Sequence, residues 1–214
     1  MARGLSPPPR PRYGCARPFP QGCSLPLILA STSAIRRQML DAAGVQYEAV
    51  KPGVDEDPVK ARLNAAEEIA GELAALKACS VSGGDWVIGS DSVVSVAGHT
   101  FGKPANREQA AEHLRFFSGK EMKLTSAVAL AHGGKLDWRH VETAMLQVRD
   151  LSEDFIAAYL DAEWPEVGYC VGVFRLEGRG VQLFDRIEGD HFTILGMPLL
   201  PLLGALRTRG LMPA

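Results

Sequence analysis

The sequence predicts an α/β protein built on a mixed β-sheet flanked by helices. From Leu25 onward, apolar strand-like runs alternate with segments of helical periodicity, as is typical of α/β domains. Two long strand-like segments, 121–131 and 136–148, flank the turn sequence His132-Gly-Gly134 and predict an antiparallel hairpin. Because purely parallel sheets contain no hairpins, we expect a mixed sheet. With 214 residues, the chain is long enough for one such domain with a substantial core.

Periodicity and helix caps define the elements of the N-terminal half. The first helix is bounded by Ser33 as its N-cap and by Gly44 just beyond its end. The longest strand is rich in β-branched residues, which favours a position at the centre of the sheet. In chain order we expect a buried strand, a helix, a short strand, a loop, a long helix and the central strand, at 25–30, 34–43, 46–50, 52–58, 65–80 and 86–96.

The C-terminal half continues the alternation. After a turn at 96–101 and a short return strand, an amphipathic helix over 107–118 ends at Gly119. The hairpin comes next, and Ser152, with acidic residues just after it, begins a helix over 152–160. We expect 175–180 and 186–190 to be turns, the first of them between strand-like segments. An apolar run predicts a last helix at 199–206.

Composition excludes several classes of protein. A net charge of −2 provides no broad basic surface for nucleic acid, and no apolar stretch reaches the ~18 residues of a membrane span. The four cysteines show no paired spacing, so we expect neither a zinc site nor a disulfide framework. The absence of such a framework favours a cytoplasmic location. Residues 1–23 are rich in proline and arginine but lack a secretory signal. We expect them to be a disordered extension or an over-long gene start, with 24–214 as a single domain.

The most informative segment runs from Leu29 through three small hydroxyl residues to Arg36 and Arg37. The helix dipole disfavours each cation at a helix start by roughly 0.3–1 kcal/mol. An anion at that helix start, within reach of both arginines, removes the conflict and predicts a phosphate-binding corner. A helical wheel places Arg36 on the apolar face and Arg37 away from it. In the alternative interpretation, Arg36 pairs with an internal carboxylate and Arg37 is solvated.

Asp91 lies within the central strand, between aliphatic neighbours. A carboxylate buried there is costly unless it is paired, bound to a metal or used in catalysis. A lysine or metal partner would keep it ionised as a proton acceptor. The alternative is an aspartate that caps a turn at the end of the strand.

Three further features are weaker on their own. Carboxylates clustered at Asp55-Glu56-Asp57 would suit Mg²⁺, although a solvated acidic loop is the commoner explanation. In Gly102-Lys103-Pro104, the glycine would let the backbone approach a ligand, but most lysines before proline have no such role. Lys77 has the pattern of an ordinary exposed helix lysine.

Taken together, these segments resemble the Maf family of nucleoside triphosphate pyrophosphatases. The resemblance covers residues 25–211, and it rests on the order and spacing of many short motifs. They are Leu29-Ala-Ser-x-Ser-x-x-Arg36-Arg37, Val54-Asp-Glu56, Lys77-Ala78, Ile88-Gly-Ser-Asp91, Gly102-Lys103-Pro104, Leu114 to Ser118-Gly119, Glu177-Gly-x-Gly180, Arg186-Ile-Glu-Gly-Asp190 and Gly196-x-Pro-Leu199. Each motif alone is weak, whereas the whole set in this order is specific.

The resemblance implies an elongated mixed sheet in two lobes around a deep nucleotide-binding cleft, a Maf or ITPase-like fold. It also implies hydrolysis of a nucleoside triphosphate to the monophosphate and pyrophosphate, with a divalent cation such as Mg²⁺ or Mn²⁺. By position, Asp91 matches the catalytic acid, and Glu56 and Asp91 match the metal ligands. The matching substrate-binding residues are Ser31, Arg36, Arg37, Lys77, Lys103 and Glu177. The expected partner is a small nucleotide, with no nucleic acid and no membrane; a homodimer is left open.

Two departures from the family pattern concern Ala34, where the family often has proline, and Ser92, where it commonly has Thr or Gln. Gly-Ser-Asp91 and Glu177 favour the branch that acts on 7-methyl-GTP. The branch that acts on dTTP and UTP typically has Ala-Asp-Thr and a Gln, so with Ser92 the base preference is left open. The rival functions are a nucleotide-binding regulator of cell division that acts through a partner, and a phosphatase that releases orthophosphate.

Overall fold

A seven-stranded mixed sheet organises the chain, as the computed structural model of residues 27–83 and 85–213 shows. The strands are β1 (Leu27–Ala30), β2 (Glu48–Val50), β3 (Trp86–Val96), β4 (His99–Phe101), β5 (Glu121–His132), β6 (Lys135–Val148) and β7 (Phe184–Glu188). The helices are α1 (Ala34–Ala42), α2 (Asp57–Arg62), α3 (Ala66–Cys79), α4 (Arg107–Phe117), α5 (Glu153–Glu163), α6 (His191–Ile194) and α7 (Leu199–Thr208). The mixed α/β architecture predicted from the sequence is confirmed. The predicted extension over residues 1–23 lies outside the described residues.

The sheet has a break along one edge of its longest strand. The strand order is β2-β1-β3-β5-β6-β7, and β5 pairs with β3 along all of its length, from Trp86 to Val96. On the other edge of β3, β1 pairs in parallel with residues 86–89, and β4 pairs antiparallel with residues 94–96. The stretch between them, residues 90–93, therefore has no strand beside it on that edge. This break in the sheet, which we call the β3 gap, positions the candidate site.

Apolar side chains pack into separate clusters on the two sides of the β3 gap. One cluster joins β1, α1 and α7 to the first half of β3, and another joins the second half of β3 to α4 and α5. Between these two clusters, buried hydroxyl side chains line the middle of the sheet: Ser90, Thr125 and Ser126, with Ser92 partly buried. The polar band lies between these two apolar clusters.

Helix α3 packs directly onto the backbone of β3. A Cβ atom added at Gly89 would lie 2.2 Å from the carbonyl oxygen of Ala74 and 2.4 Å from the backbone nitrogen of Ala78. Only a residue without a side chain permits this approach. Because the two backbones touch here, Lys77, in the last turn of α3, is held next to Asp91.

Most predicted elements are confirmed within about two residues at their ends. The hairpin between β5 and β6 turns at Gly133 and Gly134, both with positive φ angles of 57° and 75°, a backbone conformation that glycine adopts without strain. Ser152 caps α5 by accepting a hydrogen bond from the Phe155 N–H at 3.2 Å. In the described part of the chain, no helix combines the length and the apolarity needed to cross a membrane.

Three local predictions are wrong. The expected loop 52–58 contains the start of α2, whose Pro58 lies in the first turn, where proline is tolerated. The segment 175–180 follows a 3-10 helix, Glu166–Tyr169, rather than a strand. The expected turn at 186–190 is instead the end of β7 followed by the N-cap of α6, because Asp190 accepts hydrogen bonds from two N–H groups of that helix.

Candidate active site

The hydroxyl-rich turn between β1 and α1 forms one wall of the candidate site. Ser31 is buried, and its Oγ accepts a hydrogen bond from the Ser33 N–H at 3.2 Å. Ser33 is the N-cap of α1, as predicted, but its side chain makes no capping hydrogen bond. The first turn of α1 therefore keeps N–H groups available for an anion, which is the arrangement expected of a phosphate-binding helix start.

Arg36 lies on the inner face of α1 and extends across the β3 gap. Its Nε donates to the Gly196 carbonyl at 2.9 Å, and its Nη1 donates to the Ser90 carbonyl at 2.9 Å and to Ser31 Oγ at 3.4 Å. Its Nη2 donates to Ser92 Oγ at 3.1 Å. Four of the five guanidinium N–H groups are thus used by neutral acceptors, rather than by the internal carboxylate of the alternative interpretation.

The charge of Arg36 is held in a partly buried position. Burial lowers the pKa of Arg36, while the nearby negative charges of Asp91 and Glu56 raise it. The guanidinium stays charged, because arginine is not deprotonated in proteins. Arg37, on the outer face of α1, is exposed, and within the described residues its side chain forms no ion pair. The opposite orientations predicted for the two arginines are confirmed.

Asp91, Lys77 and Glu56 converge on one point on the α3 side of the sheet. Lys77 Nζ lies 2.6 Å from Asp91 Oδ1 and 2.7 Å from Glu56 Oε1. The side chains of Lys77 and Asp91 are only 10% and 11% exposed, so this ion pair is nearly removed from solvent. The expectation that Lys77 is an exposed helix lysine is wrong, because α3 packs directly onto β3. Asp91 lies in mid-strand and caps no turn.

Glu56 is the outer member of this cluster. It precedes α2 and receives a second ammonium group, because Lys60 Nζ lies 2.6 Å from Glu56 Oε2. Burial alone would raise the pKa of Glu56, but hydrogen bonds from Lys60 and Lys77 and their charges lower it to about 2. Glu56 is therefore a carboxylate at neutral pH, in contact with two cations.

A pair of carboxylates with this placement fits a hard divalent cation. Among the described residues, no group of three or more His, Cys, Asp or Glu side chains could hold a metal ion. Mg²⁺, however, is commonly bound through one or two carboxylates, with water and substrate phosphates completing its shell. Within the described chain, Asp91 Oδ2 has no hydrogen-bond partner, and Lys60, which engages Glu56 Oε2, is half exposed and can move aside. The donor set is compatible with the predicted ligands Asp91 and Glu56.

Lys103 and Glu177 lie in a separate group, near Cys170. Both side chains are exposed, Lys103 just after β4 and Glu177 in the 175–180 loop. Their charges both act on Cys170, whose pKa is raised to about 11, chiefly by burial. Just before this loop, Val173 has a φ of 58°, an uncommon conformation for a β-branched residue, and its carbonyl accepts a hydrogen bond from the Tyr159 hydroxyl. The structure does not bring Lys103 or Glu177 into contact with Asp91.

The sequence patterns did not single out Ser90, Ser92, Ser126 or Gly196 as members of this site. These residues are neutral and lack any helical or strand spacing that marks a ligand. Gly196 has a φ of 104°, and its carbonyl lies within 3.1 Å of the Ser90 and Ser92 hydroxyls. Beyond the motifs in which Ser90 and Gly196 stand, the glycine identity of Gly196 was a signal, because other residues rarely adopt this conformation.

A cavity of about 600 Å³ lies elsewhere on the protein, near the N-terminus of α3. Its lining includes Asn64, Ser95, Thr100 and Lys123, and none of the predicted site residues. The candidate site is therefore identified by the convergence of buried charges at the β3 gap and not by cavity size.

Comparisons with known proteins agree on one family. The family model described as Maf-like protein matches residues 26–209. A nucleoside triphosphate pyrophosphatase of Nitrobacter hamburgensis is 46% identical over 192 residues, which cover 87% of this chain and 95% of that protein. Another of Granulibacter bethesdensis is 48% identical over 188 residues, covering 85% and 95%. A 7-methyl-GTP pyrophosphatase of Rhizobium etli is 46% identical over 191 residues, covering 86% and 96%.

Proposed function

The chain belongs to the Maf-like protein family, and we propose that it hydrolyses nucleoside triphosphates to the monophosphate and pyrophosphate at the β3 gap. The observation that carries this proposal is the position of Lys77 Nζ, within 2.7 Å of both Asp91 and Glu56, two carboxylates whose negative charges also act on the partly buried Arg36. Mere nucleotide binding requires cations, but it does not require a buried carboxylate poised beside them.

The triphosphate is expected to bind where positive charge meets open backbone donors. The start of α1 provides N–H groups, Ser31 shapes the turn, and Arg37 has its whole guanidinium fork available. Arg36 contributes its charge and one remaining N–H on Nη2. These groups neutralise the charge that develops as pyrophosphate leaves.

Asp91 is proposed as the proton acceptor for the attacking water. Lys77 engages Asp91 Oδ1, so Oδ2 is the oxygen left to accept a proton from water aligned with the α-phosphorus. Lys77 also keeps the two carboxylates from repelling each other. A divalent cation, held by Asp91 and Glu56 together with phosphate oxygens, would supply further charge neutralisation.

Lys103 and Glu177 are proposed to contact the far end of the substrate. Lys103 adds positive charge for the phosphates, and the exposed Glu177 carboxylate can accept hydrogen bonds from a base or ribose. The relatives include a nucleoside triphosphate pyrophosphatase and a 7-methyl-GTP pyrophosphatase, so both substrate classes belong in the test.

The test is a nucleotide panel in the presence of Mg²⁺, with pyrophosphate and orthophosphate measured separately. We expect pyrophosphate release from at least one of 7-methyl-GTP, dTTP, UTP and GTP. Release of orthophosphate instead would support the phosphatase alternative. Nucleotide binding without turnover would support the regulator of cell division.

Replacing Asp91 by asparagine tests its role. We expect Asp91→Asn to lower turnover by ~10²–10⁴, because the amide cannot accept the proton, with little loss of folding. The matched control is Asp161→Asn, whose side chain is 74% exposed in a surface ion pair and should leave turnover unchanged. Near-wild-type turnover in Asp91→Asn would remove Asp91 from the mechanism.

A further inference from the structure

A row of polar side chains crosses the sheet away from the phosphate-binding corner. Ser92 on β3, Ser126 on β5 and Glu142 on β6 lie directly opposite one another in the strand register. Ser92 Oγ lies 2.9 Å from Ser126 Oγ, and Ser126 donates to the Thr193 carbonyl at 2.8 Å. Thr193 Oγ1 in turn donates to Glu142 Oε2 at 3.0 Å. The row begins at the guanidinium of Arg36, which donates to Ser92 Oγ.

The number of hydroxyl protons fixes the direction of this row. Ser126 uses its single proton on the Thr193 carbonyl, so its Oγ acts as acceptor toward Ser92. The Gly196 carbonyl, which also lies 3.1 Å from Ser92 Oγ, has its two lone pairs engaged by Arg36 Nε and the Ser90 hydroxyl. Ser92 therefore donates to Ser126 and accepts from Arg36. The hydrogen bonds thus run in one direction from Arg36 to the Thr193 carbonyl, and the Thr193 hydroxyl separately donates to the Glu142 carboxylate.

The middle of the row is fixed in place. Ser126 and Thr193 are fully buried, and Asp190 holds Thr193 through its N–H at 3.1 Å. In such an environment, aligned hydrogen bonds reinforce one another, and an unpaired member is costly. Because Ser126 is fully buried, its side chain cannot contact the substrate directly.

We propose that Ser126 is a positioning residue for the hydrolysis, acting through Ser92 on Arg36. Its acceptor oxygen sets the orientation of the Ser92 hydroxyl, and this hydroxyl holds Nη2 of Arg36. The remaining Nη2 N–H is then aimed at the phosphates. Without Ser126, the Ser92 proton turns toward the Gly196 carbonyl, where it competes with the Arg36 Nε–H and weakens the hold of this carbonyl and of Ser92 on the guanidinium. This inference rests on the proposed function, since it assigns Arg36 to the phosphates.

The experiment compares Ser126→Ala with Thr143→Val in the pyrophosphate assay. Thr143 Oγ1 lies 2.8 Å from Thr125 Oγ1, so this variant also breaks a hydroxyl pair between β5 and β6 but leaves the row intact. We expect Ser126→Ala to lower kcat/KM roughly 10-fold, mainly through KM, because it alters phosphate contacts and not Asp91. Thr143→Val should match its loss of stability in urea and keep wild-type kcat/KM.

A double variant separates positioning from general destabilisation. If Ser126 acts only through Ser92, Ser92→Ala with Ser126→Ala should lower kcat/KM no more than Ser92→Ala alone. The proposal is overturned if Ser126→Ala stays within about twofold of wild type, if Thr143→Val shows the same fall, or if the two serine effects multiply. Because wild-type pyrophosphate release is measured first, failure of the proposed function is recognised separately, as absence of that release.

Discussion

Replacing Lys77 by methionine is the sharpest test of the charge cluster, because methionine keeps the length of the side chain and removes its charge. Lys77 Nζ lies 2.6 Å from Asp91 Oδ1 and 2.7 Å from Glu56 Oε1. The two carboxylate oxygens are therefore at most about 5.3 Å apart, which is the sum of these two distances. Two unit charges at that separation repel by about 3 kcal/mol at an effective dielectric constant of 20. This is at the lower end of the ~3–5 kcal/mol typical of breaking a buried pair.

We therefore expect Lys77→Met to lower the free energy of unfolding by about 3 kcal/mol at pH 7, or Tm by roughly 6–12 °C. Pyrophosphate release should fall as well, because Asp91 loses the partner that orients it. The loss of stability should be smaller at pH 4, where protonation of a carboxyl relieves the repulsion. Urea unfolding at both pH values measures these differences.

The matched control is Lys60→Met, which removes the other lysine that contacts Glu56. Lys60 is 50% exposed, and its surface ion pair should contribute under ~1 kcal/mol. Equal urea midpoints for the two lysine variants, or a Lys77→Met loss that does not change between pH 7 and pH 4, would refute the inference that the three charges are coupled in a desolvated cluster.

Three other variants have defined outcomes. The pKa of Glu56 is about 2 in the folded protein, below its ordinary value of 4.5. Its contribution to stability is therefore present above pH 4.5 and is lost as the pH falls toward 2. Glu56→Gln should flatten the plot of unfolding free energy against pH between pH 4.5 and 2. Arg36→Ala should lower the free energy of unfolding by about 3 kcal/mol, because it leaves buried carbonyls unpaired, whereas Arg37→Ala should stay within ~0.5 kcal/mol of wild type. Arg36→Ala should also raise KM more than Arg37→Ala does. The reverse order of KM values would contradict the assigned orientations. Gly89→Ala places a Cβ 2.2 Å from the carbonyl oxygen of Ala74. It should therefore lower the free energy of unfolding by about 3 kcal/mol and weaken activity by displacing α3. An unchanged thermal midpoint would show that the helix can move away freely.

The fold was predictable because its strongest signals are local. The central strand was placed at its observed ends, 86–96, from β-branched content, and the hairpin from its double glycine. The short helix α2 was missed because Pro58 and its acidic neighbours match both a loop and a helix start. The 186–190 segment was misassigned because β7 becomes a strand only by pairing with the end of β6, a contact that sequence spacing does not encode.

The candidate site was predictable to the extent that charge marks it. Asp91 and Arg36 were found because a buried charge conflicts with its apolar neighbours, and the structure places Asp91 in a buried and Arg36 in a partly buried position. The burial of Lys77 was not predictable, because it depends on the contact of Gly89 with α3. Ser92 and Ser126 carry no charge, and their connection exists only because two strands bring them opposite each other.

The bonds of Arg36 across the β3 gap determine when the corner can be completed during folding. Its guanidinium occupies the place from which a neighbouring strand would donate to the Ser90 carbonyl. Arg36 is 54 residues from Ser90 and 160 residues from Gly196 in the sequence. Contacts of such separation form late, after the local hairpin and helices. During synthesis, β1 and α1 are made long before Gly196, so the bond between Arg36 and the Gly196 carbonyl cannot form until residue 196 has been translated. A chain released before Gly196 would retain Asp91, Lys77 and both arginines, yet it would lack the carbonyl that holds Arg36 in place.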